Sequence, residues 1–185
     1  HRLQQVLSDG ILADFLSDAD QWLQINNAAQ VAPNALTGKA GLPPIASAVS
    51  LNILAPLLLC EEAIRVAPPA GLGGIVHISS GAGRKVYPGW SVYGASKAAL
   101  DHHALCLVAE QHPNLRVVSI APGVVDTAMQ AEIRQAAEQD FPLLPRFKAL
   151  KNEGGLSSPQ DAAAAIARFL ASPLFGKQMV ADIRD

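Results

Sequence analysis

The sequence predicts an α/β fold built on a parallel sheet. Two compact β-branched runs, GIVHISS at 74–80 and NLRVVSIAPG at 114–123, have the pattern of strands covered on both faces. Helical patterns alternate with them, and the connections are long enough for helical crossovers. Three strand ends carry unusual small and polar residues: NNAA (26–29), SSGAG (79–83) and APGVVDT (121–127). In such a sheet ligands sit beyond the carboxyl ends of the strands, so the three segments are expected on one rim.

Residues 2–16 have helix-like apolar spacing, interrupted at Gly10. WLQINNAAQ (22–30) reads as a short strand ending in small polar residues, and a Pro- and Gly-rich loop follows. Residues 45–67 read as a long helix, apolar on several faces, that Pro56 should kink. After the strand at 74–80, a helix is expected from about Ser91 to Glu110, followed by the second buried strand. Residues 124–156 are mixed, with prolines at 142 and 145. They read either as a mobile lid or as helices packed over the sheet. In SSPQDAAAAIARFLAS (157–172), Ser158 caps a helix, Pro159 fits its first turn and Asp161 completes a capping box. KQMVADI (177–183) is a last short strand. No repeat or internal boundary stands out, so residues 1–185 are expected to form one domain.

Half of the residues are hydrophobic and 16% are charged, the balance of a globular chain. Net charge is −2 with no basic block, which argues against a nucleic-acid partner. The longest apolar candidate, ILAPLLLC, is shorter than the roughly 18 residues a membrane span needs, so no membrane partner is expected. Cys60 and Cys106 stand apart in helical patterns and read as reduced thiols of a cytoplasmic protein.

Chemistry concentrates between Ser79 and Lys97. Tyr93 and Lys97 are four apart, which places them on one face of a helix. An ammonium beside a phenol favours the phenolate, so the Tyr93 pKa is expected to fall. Such a tyrosine can give a proton to a carbonyl oxygen or take one from an alcohol. Ser80, at a strand end, can donate a hydrogen bond to the same oxygen, where charge develops as hydride arrives from a cofactor. Taken singly, each feature has a plain reading. Tyr-x-x-x-Lys arises in helices by chance, paired serines mark turns, and a lone buried Asn bonds backbone. His102 and His103 are adjacent and diverge by about 100° around a helix. They cannot both face one metal, and with His77 and His112 they read as structural, so no metal site is expected.

In combination the motifs carry more. NNAA, Asn52 in a long helix, HISSGAG, YGASK and APGVVDT stand in the order and spacing of the short-chain dehydrogenase/reductases, and the chain resembles that family over nearly all of its length. LRVVSIAPGVVDTAMQAEIRQ and the ending VADIRD look like the sepiapterin reductase branch, which includes bacterial benzil-type dicarbonyl reductases. The resemblance implies a Rossmann-like doubly wound parallel sheet flanked by helices. It implies Tyr93 as general acid/base, with Lys97 lowering its pKa and bonding the nicotinamide ribose. Ser80 would orient the substrate carbonyl, and Asn52 would hold a water that links Lys97 to solvent. Asn26 and Ala28 would lie by the adenosine side of the cofactor. Pro122, Gly123, Val125 and Thr127 would contact its carboxamide and pyrophosphate. Tyr87 and Trp90 would line the substrate pocket, and Asp182 matches a C-terminal Asp that anchors a pterin. The implied cofactor is NADP(H), with NAD(H) left open. The implied substrate is a ketone or dicarbonyl, pterin-like or aromatic. The implied assembly is a homodimer or homotetramer formed through 45–67 and 91–112.

The family also has a strand, a T-G-x-x-x-G-x-G turn and a helix that bring backbone N–H groups to the pyrophosphate. GLGG (71–74) precedes a strand instead, GAG (81–83) lacks the third glycine, and NNAA replaces the commoner NNAG. The first βαβαβ portion, about 60 to 75 residues, is therefore expected to lie outside this sequence. A chain truncated to this length would leave WLQIN as an open edge, and the alternative reading is a non-catalytic Rossmann-like binding or interaction domain.

Overall fold

The structure, a computed structural model, describes residues 7–185; the start of the helix expected over 2–16 lies outside them. A short helix α1 (Ile11–Leu16) follows Gly10 and leads to the sheet. Four strands, β1 (Gln21–Asn26), β2 (Leu72–Ile78), β3 (Leu115–Ala121) and β4 (Val180–Asp182), pair in chain order and all in parallel. The fold is thus the Rossmann-like α/β sheet that the strand pattern predicts.

Parallel neighbours require a crossover between each pair. The first is α2 (Leu42–Val49), a π-turn at Ser50–Leu54, and α3 (Ala55–Val66). The second holds α4 (Ser91–Ala109), and the third α5 (Ala128–Ile133), α6 (Leu144–Asn152) and α7 (Pro159–Ala171). Helix α7 starts as its sequence predicts: the Ser158 hydroxyl accepts the Asp161 N–H at 3.0 Å.

Each sheet face has its own apolar cluster. Ile75 and Val117 meet Cys60 of α3 and Ala104 and Leu107 of α4. On the other face Val76, Val118, Ile120 and Ala181 meet Phe175 and the α7 residues Ile166, Phe169 and Leu170. This alternation along β2 and β3 is why both read as continuous apolar runs. At β1 the cover thins, and Leu23 and Ile25 stay half exposed on an edge that no described residue pairs.

The first crossover differs from its sequence reading. Residues Leu42–Val66 form one continuous helical stretch of 25 residues that contains an 18-residue window of mean hydropathy 1.8, long and apolar enough to cross a membrane. No unbroken apolar run revealed this, because Ser47, Ser50 and Asn52 interrupt the pattern. Its buried positions Ala48, Asn52, Pro56, Cys60 and Ala63 recur every four or three residues and form a stripe that meets α4 at its start and the sheet further on, at Cys60. The kink expected at Pro56 is taken up just upstream as the π-turn, where the Ala55 N–H bonds the Ser50 carbonyl.

The loop after β2 is pressed onto α4. Gly81–Gly83 forms a 3₁₀ turn that Ser80 caps, its hydroxyl accepting the Ala82 N–H at 3.1 Å. A Cβ at Gly83 would lie 2.8 Å from the Lys97 carbonyl carbon and 2.9 Å from the Ala98 nitrogen. These are backbone atoms inside a helix, so neither can step aside. Gly83→Ala is expected to destabilise the fold by about 1–3 kcal/mol, as overpacking does. Equilibrium urea unfolding measures this, and an unchanged midpoint would mean the turn and helix are not in contact.

Candidate active site

The carboxyl ends of β1, β2, β3 and β4 present Asn26, Ser79–Ser80, Pro122–Gly123 and Asp182. Helix α4 crosses this rim with Tyr93 and Lys97 one turn apart, both buried. The Lys97 Nζ donates to the Ile78 carbonyl at 2.8 Å and sits 5.6 Å from the centroid of the Tyr93 ring. Burial pushes the ammonium down to about 8, against the pull of Asp101 one turn further along α4.

Tyr93 departs from expectation. Burial pushes its phenol up, and a hydrogen bond with Ser80 only partly opposes this. The expected fall required the Lys97 ammonium at the phenol oxygen. The ammonium instead engages the Ile78 carbonyl. The phenol is therefore held protonated. Its oxygen also lies 4.0 Å from the Met129 sulfur on α5, a contact nothing in the sequence signalled.

Asn52 lies in the π-turn and is almost wholly buried. Its side chain clamps the loop after β1, accepting the Gln30 N–H at 2.9 Å and donating to the Gln30 carbonyl at 2.8 Å. It also donates to Ser96 Oγ at 3.2 Å, which ties the π-turn to α4 between Tyr93 and Lys97. The side-chain oxygen and nitrogen of Asn52 are thus engaged within the protein; its backbone carbonyl lacks the usual partner, because Pro56, four residues on, has no N–H to offer it.

Other expected residues scatter more. Asn26 points into the protein, its amide donating to His77 Nδ1 at 3.0 Å and to Cys60 Sγ at 3.4 Å, while Ala28 is exposed. Gly123 turns with φ 75° beyond β3, Val125 bridges to Ser157, and Thr127 precedes α5. Asp182 is held by Arg184 at 2.8 and 2.6 Å, which keeps its carboxyl well below the usual range. Its charge is matched within its own strand end.

Tyr87 and Trp90 belong to an aromatic cluster that roofs the site. Trp90 packs 5.3 Å from Tyr93, 5.4 Å from Tyr87 and 5.0 Å from both Phe141 and Phe147, centroid to centroid. Its indole N–H donates to Asn34 Oδ1 at 2.7 Å, and Asn34 gave no sequence signal in its Pro- and Gly-rich loop. Phe141 is fully buried, and Ile133, Leu144 and Phe147 join it. The segment 124–156 is thus packed helices over the rim rather than an open flap.

Fit to a nicotinamide cofactor can be judged from the ammonium. Lys97 is buried, has three donors, and spends one on Ile78. A ribose diol at this rim would take the others. No described segment fits the pyrophosphate: the second and third glycines of GLGG (71–74) lie inside β2, and GAG forms the turn against α4.

The family model of the short chain dehydrogenases matches residues 19–138. The chain belongs to the short-chain dehydrogenase family. A benzil reductase ((S)-benzoin forming) from Bacillus cereus is 40% identical over 156 residues, covering 82% of this chain and 62% of that protein. A sepiapterin reductase from Meriones unguiculatus is 33% identical over 138 residues, 74% of this chain and 52% of its own length. The branch resemblance read from the motifs is therefore supported, and the chain spans about three-fifths or less of these relatives. Among solved structures, the angucycline C-6 ketoreductase LanV with bound NADP aligns with TM-score 0.66 and 26% identity, over 87% of this chain and 60% of that one.

Phe141→Ala is expected to cost about 3–5 kcal/mol. It should also open the roof, so that limited proteolysis cuts between 124 and 156 where the parent resists. Equal protease resistance in the two proteins would contradict the clamp.

Proposed function

We propose that this chain carries the catalytic part of an NADPH-dependent carbonyl reductase that acts on an aromatic or pterin-like ketone or dicarbonyl. The observation that carries the reading is the buried Tyr93 phenol held protonated beside Ser80, on the same helix face as a buried Lys97. NADPH is preferred here on the branch resemblance and on the ketoreductase neighbour with bound NADP; a 4-hydroxyisoleucine dehydrogenase of similar fold is complexed with NADH, so NAD(H) stays the alternative.

The cofactor would supply hydride to the carbonyl carbon. Ser80, at the tip of β2, donates to the carbonyl oxygen and aims it at Tyr93. The Tyr93 phenol gives that oxygen its proton as negative charge forms there. Lys97 is placed to hold the ribose and to stabilise the phenolate left behind. The Asn52 carbonyl would hold the water that returns a proton along this line. Trp90 and Tyr87, their rings tilted by 49°, would give an aromatic lining suited to an aromatic substrate. Pro122, Gly123, Val125 and Thr127 stand on the rim for the nicotinamide end. Asn26 acts behind it, through the sheet. Asp182 would meet substrate only by exchanging its Arg184 partner.

The long helices are placed for assembly. Leu54 between α2 and α3 and Leu105 on α4 are more than two-fifths exposed, on helices whose other faces are covered by the sheet. The reading includes a homodimer or homotetramer formed through them, and a monomer in light scattering at micromolar concentration would count against it.

Tyr93→Phe removes one hydroxyl and should lower NADPH-linked reduction of an aromatic dicarbonyl by about 10²–10⁴-fold, with an unchanged circular dichroism spectrum. Near-parental turnover would overturn the assignment of Tyr93. A pH profile gives a second test. Lys97 carries its charge below about 8 and loses it above. Reduction should therefore hold on the acid side of that point and fall on the alkaline side. A rate that climbs steadily through pH 9 would show that the charge is not needed.

A further inference from the structure

Behind the rim lies a cluster that the mechanism does not use. Cys60 of α3, His77 of β2 and His103 of α4 converge, one ligand-capable atom from each lying within 4.8 Å of the others. His77 is fully buried, Cys60 nearly so, and His103 half buried. The imidazoles meet at 3.1 Å, His77 Nε2 to His103 Nδ1. Two nitrogens on one tetrahedral zinc ion stand about 3.3 Å apart, and a nitrogen and a thiolate sulfur about 3.6 Å. The nitrogen pair is close to that spacing, and the sulfur, within 4.8 Å of both, would draw in on binding. His103 has room to turn, because part of its ring reaches the surface.

We propose that Cys60, His77 and His103 form a binding site for one thiophilic divalent cation of the zinc class, held between β2 and helices α3 and α4. Three separate elements each give one soft or borderline donor, the set that such ions prefer to hard oxygen ligands. Three protein ligands leave a fourth position for water. Burial and neighbouring charge push His77 down to about 3 and lower His103, so both imidazoles are neutral. The Asn26 amide at His77 Nδ1 leaves the ring proton on Nε2, and that proton moves to Nδ1 when Nε2 binds the ion. The Cys60 thiol is pushed up to about 11, so it is protonated without metal. Binding forms the metal–sulfur bond and releases that proton to solvent.

The surroundings can support the ion. Gln24 and Asn26 both direct side-chain amides at the Cys60 sulfur at 3.4 Å, donors that would stabilise a thiolate. Asn26 also faces His77 Nδ1 at 3.0 Å. A turn of its amide would present oxygen there and accept the ring N–H of a metal-bound His77, the partner such ligands take, and would leave Gln24 as the amide donor to the thiolate. Among charged groups acting on His77, Lys97 repels a cation and Asp101 attracts one, so the two oppose each other. Sequence reading placed His77 and His103 as structural because it compared only neighbours along α4. The partner of His103 is on another element.

The test uses cobalt(II) alone, then zinc(II) alone, added to the purified, chelator-treated protein. One equivalent of cobalt should produce a thiolate-to-cobalt charge-transfer band that zinc abolishes. The band should vanish in Cys60→Ser, whose hydroxyl can accept the same two amides. Affinity should fall about tenfold or more in His103→Ala, a half-exposed position that leaves the core intact. Near-UV circular dichroism confirms that each variant is folded. If Cys60→Ser does not fold, His103→Ala decides alone. Absence of the band in the parent, or retention of the band or affinity in a folded variant, would overturn the proposal.

Discussion

The Lys97 ammonium lies buried at the end of β2, one hydrogen bond from the Ile78 carbonyl, and the surrounding architecture follows from the cost of placing a charge there. Desolvation pushes it toward the neutral form, and Asp101, one turn along α4, pulls it back. Asp101 is itself held by Arg84 at 2.9 Å and by the Ser119 hydroxyl at 2.6 Å. Arg84 in turn donates to the Ala181 carbonyl at 3.0 Å. One chain of alternating charge thus runs from the active-site helix through β3 to the last strand. It fixes the rotation of α4 about its axis, and with it the direction in which Tyr93 points.

Much of this was legible in the sequence because it depends on local pattern. The β-branched runs of β2 and β3 needed only the sheet period, and Ser158, Pro159 and Asp161 needed only cap chemistry. The spacing of Tyr93 and Lys97 likewise fixed their shared face. What escaped depends on contacts between elements. Nothing in the sequence around Asn52 says that its side chain will bind Gln30, because a parallel crossover places them together. The direction of the Tyr93 pKa was misread for the same reason. The spacing gives the distance along a helix, whereas the phenol responds to burial under Trp90 and Met129 and to where the ammonium finds its acceptor. Cys60, His77 and His103 lie in three successive elements of the chain, and only the stacking of α3 and α4 on β2 joins them.

The roof and the phenol are connected. Phe141 and Phe147 close on Trp90, Trp90 closes on Tyr93, and the excluded water raises the pKa that an open site would leave lower. A buried phenol is a weaker acid than a free one, so the roof opposes loss of the Tyr93 proton. The aromatic cluster therefore sets the acidity of Tyr93 as well as packing the site. In the proposed reaction the phenolate would depend for its stabilisation on the Lys97 ammonium, 5.6 Å from the ring centroid. The same packing couples substrate fit to proton supply, since whatever parts Trp90 from Phe141 also admits water to Tyr93.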